Sequence, residues 1–419
     1  MRRLVVLFVS VVILVSAVSF SFGAEVTTIT IWTPHDFDVR YKEKGVYETL
    51  WKPFEEEHPN IKIQWTRVPD WEQKFRIAAA AGQLPDIFAV DGINVAAYAA
   101  RGLLEPLDQW VPKEIQKDYW RPALEEATWD GKLYAVGLET NAHLLFYNSA
   151  LFQKAGISRP PTSWEELVSI GQKLTQDFNG DGKIDQFGLS IPLGRNEYVM
   201  WILSAFIWAN KGDIISPDGT RAVCNEPKAV EAVQFLSDLV NKYKIVPKAG
   251  QIQAGPEGAF IGQKVAMEYG GTFNLSPWQK YLKTVPWKVT FTPGAVKGTR
   301  VSGVGGWHFA MWSGSKNKEA AGEVIKYLTS PYMIKTLASS YGIALRMSVS
   351  KELKQDSIYP WSVGIAQMKV GRPRPRHPEY PTITDAMQQA FDNAILGNIP
   401  PKQALDEAAK RINEVLKKK

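Results

Sequence analysis

Three groups of residues in this chain could do chemistry. The first is DFNGDGKIDQFG, residues 177–188. Asp177, Asn179, Asp181 and Asp185 stand at positions 1, 3, 5 and 9 of an EF-hand-like loop, with Gly182 at 6 and Ile184 at 8. Position 12 needs a bidentate Glu and is Gly188. The stretch therefore reads either as an incomplete structural calcium site or as a tight polar turn before a strand at Gln186–Ile191. The second group is aromatic: Trp32, Trp71, Tyr198, Trp201, Phe273 and Trp307, in a chain with 15 Trp, more than ordinary usage, many of them in polar, loop-like contexts. Beside them in sequence stand Asp36, Asp91, Glu139, Asn141 and Asn274, with His35 a weaker partner. Flat rings cover the C–H face of a pyranose, and planar Asp, Glu, Asn and Arg groups bond its hydroxyl edge. Any one Trp is as readily a core residue; the whole set in polar loops is harder to explain that way. The third group is the Pro-stiffened loop GRPRPRHPEYP at 371–381, with Arg372, Arg374 and Arg376. Arg374 could fork onto two sugar hydroxyls or pair with a uronate carboxylate, or all three could sit in solvent. Asp36, Asp91 and Glu139 oppose an anion, so a neutral ligand is favoured.

Other chemistry is missing. There is no GxSxG elbow, HExxH, P-loop or GxGxxG, and His35, His58, His143, His308 and His377 lack ligand spacing. No cofactor is required. A glycosidase needs only two carboxylates placed in space, so a secreted polysaccharide hydrolase or lyase stays open. The single cysteine, Cys224, excludes an internal disulfide and any CxxC site. A net charge of +6 with no basic run argues against nucleic acid.

The elements that must position these groups are α/β. At 419 residues with 45% hydrophobic side chains the chain predicts two globular domains. Thr28–Trp32 and Ile61–Val68 alternate as strands. Between them Tyr47, Leu50, Trp51 and Phe54 mark a helical face, and Pro53 must kink that helix or open a fresh first turn. A helix from Asp70 to Ala81 leads to a buried strand, Ile87–Val90. Asp91 ends that strand, where open α/β sheets place ligands; it could equally cap the helix that follows. Asp130–Leu167 then reads as a strand at Leu133–Val136 broken by Gly137, a polar gap with Glu139, Asn141 and His143, and a strand at Leu144–Tyr147. A short helix follows, with Leu151, Phe152 and Ala155 inward, then a second helix opened by a Ser163/Glu166 capping box.

Residues 1–23 form a separate object: Arg2-Arg3, an apolar run, then small residues at Ser21 and Gly23. This predicts a cleavable secretory signal peptide, with an uncleaved anchor the alternative. No cysteine lies near the site, so the chain is not expected to be a lipoprotein.

The order DGK-LYAV, a polar gap, LFYN, LFQKAGI, then PPTSWEEL resembles the family 1 extracellular solute-binding proteins, the sugar receptors of ABC importers and the group that includes maltose-binding protein. WEQKF…GQLPDIFAVDG, FIGQKVAMEYGG and GGW…SKNKEAA resemble the same family. The resemblance implies a two-lobed periplasmic binding-protein fold (type II) with discontinuous lobes joined by three crossing segments. The lobes would be 24–138 with 290–338, and 139–289 with 339–419. Lys288–Pro293 would be the second crossing and Tyr341–Arg346 the third. It also implies an aromatic stacking on sugar at Phe273, and Gly306 and Trp307 beside the ligand. The expected protein is a periplasmic, non-enzymatic monomer that delivers a carbohydrate to ABC permease subunits by hinge closure. A sensing partner of a chemoreceptor is a further alternative.

Overall fold

The alternating segments at the start of the chain do build parallel sheet. In the computed structural model, which describes residues 25–37, 41, 43–252 and 255–417, β1 (Thr27–Thr33), β2 (Ile61–Arg67) and β3 (Ile87–Asp91) pair in parallel. The expected signal peptide lies outside the described residues. β4 (Thr128–Trp129) and β5 (Lys132–Leu133) form a ribbon around Asp130-Gly131, both with positive φ. β6 (Ala135–Gly137) and β7 (Asn141–Asn148) flank the polar gap, and β8 (Met267–Gly271), β9 (Trp287–Thr290), β10 (Ser302–Gly305), β11 (Trp307–Met311) and β12 (Gly371–Arg372) follow.

The strands sort into two five-stranded sheets, and this division makes two lobes. One runs β2-β1-β3-β11-β6; the other runs β12-β10-β7-β8, with β9 also on β7. Each sheet has its own apolar core: Ile29, Ile31, Phe88, Val136, Phe309 and Ile325 in the first, Leu145, Leu203, Val233, Tyr269, Phe391 and Leu405 in the second. A third cluster (Tyr119, Trp120, Ala142, Val304, Ile343, Leu345) lies where the chain passes between them.

The crossings follow from strand pairing. The first is the gap between β6 and β7. The second was expected at residue 290, but β9 pairs with β7, and β10 does so through Val304↔Ala142 and Gly305↔Asn141. The chain regains the first sheet only at Trp307, whose β11 pairs with β3 and β6. Lys288–Pro293 reads as a good crossing strand on alternation alone, yet its ladder belongs to the second sheet. The third crossing runs through Ile343–Arg346, bridged to Thr140 and Tyr119. Gly137 is pressed against it: a Cβ there would stand 2.4 Å from Leu345 Cδ2. Glycine at this point lets the first and third crossings lie in contact.

Local signals read from sequence mostly hold. Pro53 opens a fresh helix, Lys52–Glu57, after a π-helical turn at Tyr47–Trp51. Leu50, Trp51 and Phe54 are buried while Tyr47 faces out. Ser163 caps Trp164–Leu174 by accepting the Glu166 N–H at 3.2 Å, but the Glu166 carboxylate reaches back to the Thr162 N–H at 2.8 Å instead of to Ser163. In the short helix Ser149–Lys154 Phe152 is buried, while Ala155, the residue that follows it, is exposed. Gln186–Ile191 is not a strand. Its amides bond several different segments, Gln186 N–H to Gln176 O, Phe187 N–H to Lys264 O, Leu189 N–H to Ile245 O and Ser190 N–H to Met267 O, so only isolated bridges form and no continuous ladder. Among the described residues no helix is long and apolar enough to cross a membrane.

Candidate functional site

The carboxyl end of β3, the β6–β7 gap, the β10–β11 turn and the first turn of the helix Glu197–Ala209 converge on one cavity between the lobes. Its volume is about 270 Å³, and Asp91, Glu139, Asn141, Glu197, Tyr198, Trp201, Phe273, Gly305, Gly306, Trp307 and Arg374 line it.

The second lobe supplies an aromatic wall. Asn196 caps its helix by accepting the Val199 N–H at 3.0 Å, which sets Tyr198 and Trp201 on one side of the first turn. Their ring centroids lie 6.1 Å apart, with Phe273 6.1 Å from Trp201 and 6.2 Å from Tyr198. Behind Trp201, 4.1 Å away and edge-on, is His143. Burial, with Arg374 adding to it, pushes its pKa down to about 3, so it is neutral. Its Nδ1 accepts the Gly303 N–H at 3.2 Å.

The first lobe faces this wall with Trp307, at the start of β11. Gly306 permits that placement, because a Cβ would come within 2.1 Å of the Glu139 carbonyl oxygen. His35 and Trp71 pack edge-to-face on Trp307, at 4.9 and 6.4 Å, and support it without lining the cavity.

The polar frame is centred on Arg374, which is 5% exposed. Its Nη1 donates to Glu197 Oε2 at 2.8 Å and its Nη2 to Asp91 Oδ1 at 3.2 Å. Glu197 also accepts from Tyr380 Oη at 2.8 Å, from Thr384 Oγ1, and from Gln388 Nε2 at 3.0 Å. Burial works against the guanidinium charge, but Asp91, Tyr380 and Glu197 outweigh it, so Arg374 is held more firmly charged than usual. Burial raises the Asp91 pKa to about 6, against the pull of Arg374 and with a push from Glu126 and Glu197. Asp91 combines the two roles its position suggested: it caps the helix Gly92–Ala100, accepting the Ile93 N–H at 3.4 Å, and it faces the cavity. Asn141 lines the cavity with its Oδ1 accepting from Thr272 Oγ1 at 2.9 Å.

Of the residues singled out in the sequence, Asp91, Glu139, Asn141, Tyr198, Trp201, Phe273, Gly306, Trp307 and Arg374 come together here. The others do not. Trp32 lines a separate groove with Arg67, Val68 and Lys74. Asp36 pairs with Arg67 at 2.9 Å. Asn274 is buried at the entry to the helix Leu275–Tyr281. Nor are the three arginines equal: Arg372 pairs with Asp213 at 2.7 Å on the surface, and Arg376 donates to the Glu125 carbonyl at 3.0 Å. Glu197 went unrecognised as a site residue, although its spacing to Tyr198 and Trp201 puts all three near one helical face.

The side-chain oxygens of the acidic loop are turned onto the loop's own amides. Asp177 accepts from the N–H groups of Gly180 and Gly182, Asn179 from Asp181, Asp181 from Lys183, and Asp185 from Phe178, at 2.8–2.9 Å. Among the described residues no group of three or more His, Cys, Asp or Glu side chains is placed to hold an ion. Melting curves are expected to coincide in chelator and in millimolar calcium. A higher melting temperature in calcium would show that these oxygens turn from the loop amides to an ion.

Comparison with known proteins agrees with this architecture. Residues 49–360 match the family model described as bacterial extracellular solute-binding protein. A putative binding protein of Brucella abortus is 25% identical over 380 residues, covering 89% of this chain and 90% of that one. The maltotriose-binding protein of Pyrococcus abyssi is 23% identical over 402 residues, covering 93% and 82%. In structure the chain is similar to an ABC transporter solute-binding protein of Thermotoga lettingae bound with alpha-D-tagatose. The TM-score is 0.81 with 26% identity, covering 93% of this chain and 100% of that one.

Proposed function

The chain belongs to the bacterial extracellular solute-binding proteins, and from that premise we propose that it captures a neutral carbohydrate, an oligosaccharide, between its lobes. One observation carries this reading: Tyr198, Trp201 and Phe273 face Trp307 across a cavity framed by Asp91, Asn141, Glu197 and Arg374. That is a stacking surface beside planar hydrogen-bonding groups, which matches a sugar ring's apolar face and hydroxyl edge. A ligand touching both lobes has a higher affinity for the closed arrangement, and only that difference drives closure. The closed form is then presented to ABC permease subunits that read the spacing of the lobes.

The same reading makes the protein non-catalytic, monomeric and exported, free of a lipid anchor and released from its N-terminal leader. Its support is the family and the leader-like composition of residues 1–23. A thermal-shift screen over neutral mono- to tetrasaccharides tests it, because ligand at 100 times Kd adds about 2.7 kcal/mol to stability. A rise with one sugar, and recovery of that sugar unchanged after incubation, is the expected result. No shift with any sugar would overturn carbohydrate capture. Consumption of the sugar would make the protein a hydrolase or lyase.

A further inference from the structure

A ligand carboxylate bound by arginine takes the guanidinium fork, two parallel N–H groups on one edge. In this cleft the terminal nitrogens are already engaged. Arg374 Nη1 bonds Glu197 at 2.8 Å and Nη2 bonds Asp91 at 3.2 Å, and the side chain is only 4% exposed. Of the two partners, Glu197 is the more firmly fixed. Tyr380, Thr384 and Gln388, all on the helix Tyr380–Leu396, donate to it as well, so its carboxylate is set before any ligand arrives. Asp91 comes from the other lobe. Arg374, the single cation among the described residues that line the cavity, is outnumbered by three carboxylates, Asp91, Glu139 and Glu197. One N–H of each terminal nitrogen is taken, and Nε, which has no partner among the described residues, is buried out of a ligand's reach. An incoming anion would lose its water, find no exposed edge with two unengaged N–H groups, and face Asp91 and Glu197 at close range; each of these costs binding energy.

We infer that Glu197 is a specificity-determining residue: by occupying Arg374 it makes the cleft select uncharged glycans and reject those bearing a uronate. The inference rests on the reading of the cavity as a neutral-carbohydrate site given above and adds to it the residue that sets the ligand's charge class. Glu197 acts through Arg374 as well as by its own charge. Its neutral isostere Gln keeps an acceptor oxygen for Tyr380, Thr384 and Gln388 while removing one negative charge and loosening the hold on Nη1.

The test uses glycans paired to differ only at C6: glucose with glucuronate, galactose with galacturonate, and galactotriose with trigalacturonate. Calorimetric titration of wild type is expected to show the neutral member bound about ten-fold or more tighter, the worth of one charge-assisted hydrogen bond. In Glu197→Gln the ratio should narrow by about the same factor, and the uronate affinity gained should fall as salt rises. Tyr380→Phe, which removes one support of Glu197 and leaves its charge, should narrow the ratio less. If wild type binds a uronate as tightly as its neutral partner, or if a folded Glu197→Gln keeps the wild-type ratio, the inference fails while carbohydrate capture stands. The neutral glycan that gives the largest thermal shift is titrated with its C6 uronate in the same way, and if no neutral sugar and no uronate binds the wild type, both fall.

Discussion

Arg374→Met is expected to lower the stability of the unliganded protein by about 3–5 kcal/mol, although methionine fills much of the same space. The loss comes from what is left behind. Glu197 keeps three donors and is 30% exposed, so it tolerates the change. Asp91 is 17% exposed and keeps only the Ile93 N–H. Its pKa, already raised to about 6 by burial against the pull of Arg374, must rise further without that pull. A raised carboxyl contributes stability that is present below its unfolded value and lost as pH rises through its folded value. The deficit of the variant should therefore be largest above pH 6 and shrink as acid protonates Asp91. Urea unfolding at pH 5 and pH 8 measures this, and adding Asp91→Asn should restore most of the loss at pH 8. A deficit that is small and independent of pH would show that Arg374 does not hold the two lobes' carboxylates together.

The second large effect lies away from the cleft and has the opposite sign. Glu268 is fully buried on β8, opposite Phe146, and neither of its oxygens has a hydrogen-bond partner among the described residues. Burial, then the neighbouring Glu257, raises its pKa well above the ordinary value. Wild-type stability should therefore fall as pH rises from about 4.5, by up to about 1.4 kcal/mol per pH unit, until the folded group ionises. Glu268→Met removes that slope and satisfies an apolar site, so the variant should be more stable at pH 7 by about 1–4 kcal/mol. Parallel stability–pH curves for the two proteins would mean that Glu268 is solvated or partnered in solution.

What could be read in advance was governed by local chemistry. Alternation at β1 and β2, the fresh turn at Pro53, the Ser163 cap and the position of Asp91 at a strand end are properties of a few adjacent residues. The errors came where distant residues decide. Lys288–Pro293 has the look of a strand, while the glycine-rich Ser302–Gly305 has little strand propensity, yet pairing with Asn141 and Ala142 makes β10 the last strand before the crossing. Trp32 and Asn274 stand in polar surroundings along the chain, but which way a strand or helix entry turns them is set by packing. Glu197 shares a polar and aromatic first turn with Tyr198 and Trp201 that suits a sugar, but nothing local marks it out within that turn. Its role depends on Arg374, 177 residues later.

The place of β11 in its sheet bears on how this chain can fold as it is made. Residues 307–311 form the strand between β3, which ends at Asp91, and β6, which ends at Gly137. The edge strand β6 therefore waits for a segment that begins 170 positions after it ends, and the entire β7–β10 region must be synthesised first. Until then the carboxyl half of the first sheet has an unpaired edge and exposed apolar faces. Contacts this far apart are slow to form because chain closure is lost entropy before it is gained contact. The early part of the nascent chain thus remains incompletely folded for most of its synthesis.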